Sequence, residues 1–222
     1  MTEPKAPTQL RIDFVSDVVC PWCAIGLASL EQALARTRGE VEADVHFQPF
    51  ELNPRLGIEG EDIVEHLQQK YGMSAEQVAA NQEAIRQRGA DLGFTFDMER
   101  RLRTYNTFDA HRLLHWAAEE GRQRELKHAL LRAYFSEGRD VSDRGTLADI
   151  DAGVGLPADR AREILASDTY ADEVRALEQF FVQQGIHGVP AVIIDRKHLV
   201  SGGQPVEVFE QALRQIAAAK QG

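Results

Sequence analysis

Residues Leu10 to Leu34 read LRIDFVSDVVCPWCAIGLASLEQAL, and two periodicities meet inside that stretch. From Leu10 to Ser16 apolar and polar residues alternate, with Ile, Phe and Val at the apolar places, the pattern of a half-buried strand. After Cys20-Pro21-Trp22-Cys23, the residues Ala24, Ile25, Leu27, Ala28, Leu30, Ala33 and Leu34 recur at helical spacing and stop before Gly39. Pro21 suits the first helical turn, where its missing N–H is not needed. Cys20 and Cys23 are the two cysteines of the chain. Scattered at random they would fall three residues apart roughly once in a hundred times, and here they also fall at a strand-to-helix junction.

Outward from this junction, Val41 to Leu52 alternates again and predicts a second strand, with Pro49 marking its end at an edge or bulge. Between Ile58 and Ser167 the strand pattern disappears. Ser74-Ala75-Glu76-Gln77 has the form of a capping box, Gly72, Gly121 and Gly138 sit where helices would end, and Pro157 reads as a first-turn residue. A helix over Asp168 to Gln184 precedes Gly185, and Val189 to Ile194 reads as a buried strand. Lys197 to Ser201 is its hairpin partner, with Asp195 and Arg196 in the turn, and Pro205 opens a last helix. The order is strand, helix, strand, many helices, strand, strand, helix. Without the helical block this is the order of a thioredoxin fold. The expected architecture is therefore α/β, with a discontinuous thioredoxin-like domain over 1–57 and 168–222 and an inserted all-helical domain over 58–167.

Composition bounds the function. Lys plus Arg number 25 against 35 Asp plus Glu, a net charge of −10, which argues against nucleic acid or an anionic membrane surface as partner. With 43% hydrophobic and 27% charged residues the chain has ordinary globular composition. The longest apolar run, Val189 to Ile194, is far short of the ~20 residues of a membrane span. Met1 to Gln9 lacks an apolar h-region and reads as a frayed tail, so a cytoplasmic location is expected.

The cysteine pair carries the chemistry. Cys20 would sit just ahead of a helix, where orphan N–H groups and the macrodipole favour thiolate over thiol. Cys23 lies one turn inside, within disulfide reach and less exposed. The expected reaction is attack by Cys20 on a thiol or disulfide partner to give a mixed disulfide, which Cys23 resolves. Zinc ligation, a static disulfide and two inert buried thiols are the competing readings; zinc would need His or carboxylate to complete its shell, and no metal is expected. Gly188-Val189-Pro190 precedes a buried strand, where a trans proline would cost a ladder hydrogen bond, and in a thioredoxin fold a cis Val189–Pro190 bond suits this position.

Phe14 to Leu30 with its Cys-Pro-Trp-Cys centre, the Gly188-Val189-Pro190 turn and the helical insertion together resemble the DsbA-like thioredoxin-fold oxidoreductases over nearly the whole chain. More narrowly, Phe50 to Pro54, Asn106 to Leu113 and Ser201 to Pro205 are similar to the cytoplasmic FrnE-type branch. The resemblance implies thiol–disulfide oxidoreduction with Cys20 nucleophilic and Cys23 resolving. It also implies that Pro190 sits beside the pair and that a groove at Pro21, Trp22 and Val189 receives an extended substrate. Protein thiols and disulfides are the expected partners, with glutathione a candidate co-substrate and no bound cofactor. Two departures carry weight. Trp22 stands where some relatives have His, so a less acidic Cys20 is expected. The second cysteine pair of some FrnE-type proteins is absent, so electrons must pass to a separate redox partner. The branch also resembles kappa-class glutathione transferases and 2-hydroxychromene-2-carboxylate isomerases, which typically have Ser in place of Cys20; a glutathione-dependent isomerase or transferase is the alternative function, and a non-catalytic binding protein a second.

Other residues are less specific. Asn106 and Thr107 look like helix caps with substrate contact as a secondary role. By the resemblance His111 faces the active cleft; its spacing to His115 and Glu119 would also place three donors on one helical face. Asp17 reads either as a solvated loop acid or as a group able to accept a proton or repel the Cys20 thiolate. An apolar groove around Trp22 and Pro190 would suit unfolded chains or self-association as a homodimer.

Overall fold

The computed structural model describes residues 6–221. Strand β1 (Thr8–Ser16) leads through the cysteine loop into α1 (Pro21–Arg36), and β2 (Val41–Pro49) returns parallel to β1, with Thr8 opposite Val41 and Ser16 opposite Pro49. There follow β3 (Glu61–Asp62), α2 (Ile63–Tyr71), α3 (Ala75–Asp91), β4 (Arg103–Thr104), α4 (Phe108–Glu119), α5 (Gln123–Phe135), α6 (Arg144–Gly153) and α7 (Ala158–Leu165). The chain closes with α8 (Ala171–Gln183), β5 (Ala191–Ile194), β6 (His198–Ser201) and α9 (Val206–Gln221). The main sheet has the order β2-β1-β5-β6, with β5 antiparallel to both neighbours. This is a thioredoxin fold, mixed α/β, with an insertion, mostly helical, between β2 and α8.

The structure corrects several expectations. Thr8 and Gln9 belong to β1 and not to a frayed tail, while residues 1–5 lie outside the described residues. β1 is not half-buried. As a central strand it has both faces covered: Phe14 packs into the main core, whereas Val15 joins a smaller cluster with Phe181, Ile186 and Ala191. Asp13 tolerates this burial through Arg11 and Gln48. The inserted block is not all helical, since β3 and β4 form an antiparallel ladder. Two-residue strands leave no period-2 signal, and Asp62 serves also as N-cap of α2, accepting from the N–H groups of Val64 and Glu65. Pro157 occupies the N-cap position of α7, one residue earlier than expected.

The main core runs through both parts of the chain. Ile12, Phe14, Ile25 and Leu30 of the sheet and α1 belong to the same buried cluster as Leu113, Leu126, Leu130, Leu147 and Ile164 of the inserted helices. Helices α4 and α5 pack against β2 and so bring inserted side chains behind the cysteine loop.

Candidate active site

Cys20 is the N-cap of α1, with extended φ −90° and ψ 114°, and its carbonyl accepts from the N–H of Cys23 at 3.0 Å. The Cys20 side chain makes no cap hydrogen bond among the described residues, so the orphan N–H groups of the helix start lie open beside the sulfur. Both cysteines are free thiols and buried, Cys23 completely. Their environments push them apart. The Cys23 thiol donates to Cys20 and draws it below its ordinary value; burial opposes this, the N–H groups of Cys23 and Trp22 assist it, and the Asp17 charge opposes it. Cys23 is pushed well above its ordinary value by burial first, then by its hydrogen bond to Cys20 and the Cys20 charge.

The Val189–Pro190 peptide is cis. The Val189 carbonyl accepts from Cys20 Sγ at 3.7 Å. Pro190 packs on α1 at Gly26, where an added Cβ would lie 3.0 Å from Pro190 Cγ. Trp22 is 40% exposed beside it and rests on Gly203, where a Cβ would stand 2.8 Å from the Trp22 carbonyl oxygen. The Ser201 to Pro205 segment is thus the floor under Trp22, and Gly202 extends the sheet by donating to Pro190 O.

In front of Cys20 lies a cleft of about 390 Å³. Cys20, Pro21, Trp22 and Val189 line one wall, and Lys70 and Asn81 of the inserted helices line another. Lys70 Nζ donates to Leu52 O and Asn53 Oδ1. The sequence missed Lys70, Asn81 and Arg101, also in this lining, because their approach to Cys20 depends on how α2 and α3 dock.

Asn106, Thr107 and His111 do not line this cleft. Asn106 donates to Leu56 O and accepts from the Phe108 N–H, so its capping role is present. Thr107 is the N-cap of α4 by position but makes no side-chain cap bond, correcting that part of the expectation. The expectation that His111 faces the cleft is also corrected. It is 3% exposed, with Nε2 at 3.1 Å from Phe50 O and 3.5 Å from Asp17 Oδ1. The reason is Asp17, which is not a solvated acid but wholly buried and must be satisfied internally. Its Oδ2 accepts from the Leu52 N–H at 2.7 Å. Burial pushes this carboxyl up, but His111, the Leu52 N–H and the Thr107 hydroxyl outweigh it and hold it below its ordinary value. The segments Phe50 to Pro54 and Asn106 to Leu113 therefore converge on Asp17, behind the cysteines. His115 packs on Tyr170 and Glu119 accepts from the Tyr170 hydroxyl, so His111, His115 and Glu119 do not converge.

The other missed residue is Lys127 of α5, 1% exposed, whose Nζ has no hydrogen-bond partner among the described residues. It stands within electrostatic reach of Cys23, Asp17 and Cys20. Its place three and four residues before Leu130 and Leu131, on an apolar helical face, is the signal that could have found it.

A family model described as DSBA-like thioredoxin domain matches residues 11–214. A solved structure described as a probable DsbA oxidoreductase from Streptomyces coelicolor is 40% identical, with a TM-score of 0.89 over 95% of this chain and 91% of that one. The cytosolic disulfide reductase DsbM from Pseudomonas aeruginosa, solved with GSH, shares the fold at 16% identity and a TM-score of 0.64, over 94% of this chain and 99% of that one. A 2-hydroxychromene-2-carboxylate isomerase shares it at 13% identity and a TM-score of 0.68, over 95% and 98%.

Proposed function

The chain belongs to the DSBA-like thioredoxin domain family, and from that premise we propose that it is a thiol–disulfide oxidoreductase acting on protein disulfides, with Cys20 as nucleophile and Cys23 as resolving thiol. The observation that carries this is the asymmetry of the pair. Cys20 caps a helix at a cleft and is drawn toward the thiolate, while Cys23 is sealed behind it and held as a thiol. Attack by Cys20 on a substrate disulfide gives a mixed disulfide and releases one substrate thiol; Cys23 then attacks Cys20 Sγ and releases the second. An extended substrate would lie along Val189 and Pro190, with Trp22 and Pro21 as the exposed apolar wall. The FrnE-type motifs support placing the chain in that branch and in the cytoplasm. Because Cys20 and Cys23 are its whole cysteine complement, a separate redox partner or glutathione must reset the pair. No bound cofactor enters the reaction.

A second reading has its own support. The cleft reaches past Cys20 to Lys70 and Asn81, polar groups suited to a small anionic thiol such as glutathione, which would fit a glutathione-dependent isomerase or transferase. Trapping separates the two. A Cys23→Ser variant should accumulate a mixed disulfide through Cys20 with a disulfide-containing protein, and Cys20→Ser should accumulate none. Full turnover by Cys23→Ser on a glutathione-dependent isomerisation would favour the second reading instead.

A further inference from the structure

Arg101 and Arg112 are the buried arginines among the described residues, and their surroundings differ. Arg112, 3% exposed, binds Asp109 and the carbonyls of Ile164, Ser167 and Thr169. Arg101, 5% exposed, donates from Nε to the Tyr134 hydroxyl at 3.1 Å and lies against the Tyr134 and Phe135 rings, 5.3 and 5.2 Å from their centroids. Its two Nη atoms have no hydrogen-bond partner among the described residues. Nor do they count among the fully buried atoms left without a partner, so they open into the cleft that Arg101 lines in front of Cys20. A guanidinium keeps its charge in a protein, and N–H groups so nearly cut off from water are costly unless something accepts them.

The cleft has one sign of charge. His66, Lys70 and Arg101 line it and, among the described residues, no Asp or Glu does, in a chain whose net charge is −10. Lys70 is engaged by Leu52 O and Asn53 Oδ1, and His66 by Glu61, which leaves Arg101 as the cation with donors to offer. Ile63, Leu67, Met73 and Ile85 line the same cleft, so its lining suits an occupant that is apolar as well as anionic. Glutathione has carboxylates but no apolar side chain. A peptide with Asp or Glu and an apolar residue near its cysteine has both.

We propose that Arg101 is a carboxylate-binding specificity residue, through which the cleft selects protein disulfides that carry an acidic side chain near the cysteine. The inference rests on the oxidoreductase reading above and names its substrate class. Arg101 takes no part in bond making. The Cys20 thiolate attacks one substrate sulfur, the Cys20–substrate S–S bond forms, the substrate's own S–S bond breaks, and the departing thiolate takes that bond's electron pair. Through this step the guanidinium holds the neighbouring carboxylate by charge-assisted hydrogen bonds, which a partly desolvated cleft strengthens.

Peptides activated as 2-pyridyl disulfides report this step, because attack by Cys20 on the peptide sulfur releases neutral, coloured pyridine-2-thione. A set of peptides would carry Glu or Gln at each position neighbouring the cysteine in turn. With the reduced wild-type chain, at least one Glu peptide should react about tenfold faster than its Gln counterpart, the worth of a charge-assisted hydrogen bond, and added salt should shrink that margin. Arg101→Gln should abolish the margin, while the Gln peptides and alkylation of Cys20 by iodoacetamide stay within about twofold of wild type, since neither offers a charge to Arg101. Gln82→Glu leaves the packing of Arg101 in place and adds a carboxylate to the cleft lining, so it should also cut the margin. Equal rates for Glu and Gln peptides at every position on the wild-type chain, or a margin that survives both substitutions, overturns the assignment. A dependence on Arg101 seen with glutathione disulfide and with none of the peptides would give the residue to a small thiol and overturn the protein-substrate class. A peptide mixed disulfide that persists on the wild-type chain, unresolved by Cys23, would instead overturn the oxidoreductase reading.

Discussion

Cys20 and Cys23 carry the same side chain one helical turn apart, so their difference has to come from position. Cys20 has the N–H groups of the helix start and a thiol donor; Cys23 has burial and the Cys20 charge. Alkylation of the reduced protein followed by intact mass should therefore show one fast site, mapped to Cys20 and titrating below the ~8.5 of an ordinary thiol, with Cys23 silent until the protein is denatured. Two equal slow sites would contradict the asymmetry. Asp151 of α6 makes a different residue-scale prediction. Neither of its carboxylate oxygens has a partner among the described residues, and burial pushes its pKa up to about 7. Against an unfolded value of ~3.9, the folded chain binds a proton that the unfolded chain has lost, so stability falls as pH rises between about 4 and 7 and is level above that window. The ceiling of this effect is roughly 4 kcal/mol. Urea unfolding at pH 5 and pH 8 should show Asp151→Asn losing that slope relative to wild type, because the difference cancels the carboxylates that titrate in both chains. Equal slopes in the two proteins would mean that Asp151 is satisfied.

At the scale of elements, the hairpin between β5 and β6 turns on Asp195 and Arg196, both at positive φ, 50° and 58°. Asp195 accepts from the Arg11 N–H and from Lys220, while Arg196, at φ 58°, makes no such side-chain bond among the described residues and carries the backbone strain of an L-residue in the left-handed region. Arg196→Gly should therefore stabilise the fold by about 0.5–1 kcal/mol, read as a rise in Tm of a few degrees. Gly203→Ala should act in the opposite direction. Its Cβ meets the Trp22 carbonyl, which is main chain and cannot rotate away, so the first turn of α1 must shift. The expected result is a loss of about 1–3 kcal/mol together with slower alkylation of Cys20; a stability loss with unchanged Cys20 reactivity would show that the turn absorbs the clash elsewhere. The sequence revealed most of these elements because their causes are local. The alternation of β1, the spacing of α1, the capping box at Ser74 and the glycine at the end of α2 each lie within a few residues of what they determine. The two-residue ladder of β3 and β4 was illegible for the converse reason, its strands being too short to repeat.

For the whole molecule, legibility fails where chain segments about a hundred residues apart meet. Cys20, Cys23 and Pro190 could be placed from the order of elements, but Lys127, the burial of Asp17 and the turn of His111 away from the cleft depend on how α4 and α5 dock on β2. The same docking decides how the molecule unfolds. If the inserted helices were an appended unit, their core and that of the sheet would be separate, yet one buried cluster contains Phe14 and Leu30 together with Leu113, Leu126 and Ile164. Removing either side would leave the other with an uncovered apolar face, so neither half has a stable state without its neighbour, and unfolding should be a single cooperative transition. The two tryptophans report the two parts independently: Trp22 stands on α1, and Trp116 is buried in α4. In Trp22→Phe, the fluorescence of Trp116 should follow the same urea curve as the far-ultraviolet circular dichroism. In Trp116→Phe, the fluorescence of Trp22 should do the same, at a lower midpoint because a buried indole has been replaced. Fluorescence and circular dichroism that separate within either variant would mean that the sheet and the inserted helices unfold on their own, and that the docking of α4 and α5 behind the cysteines is a weaker interface than the shared core implies.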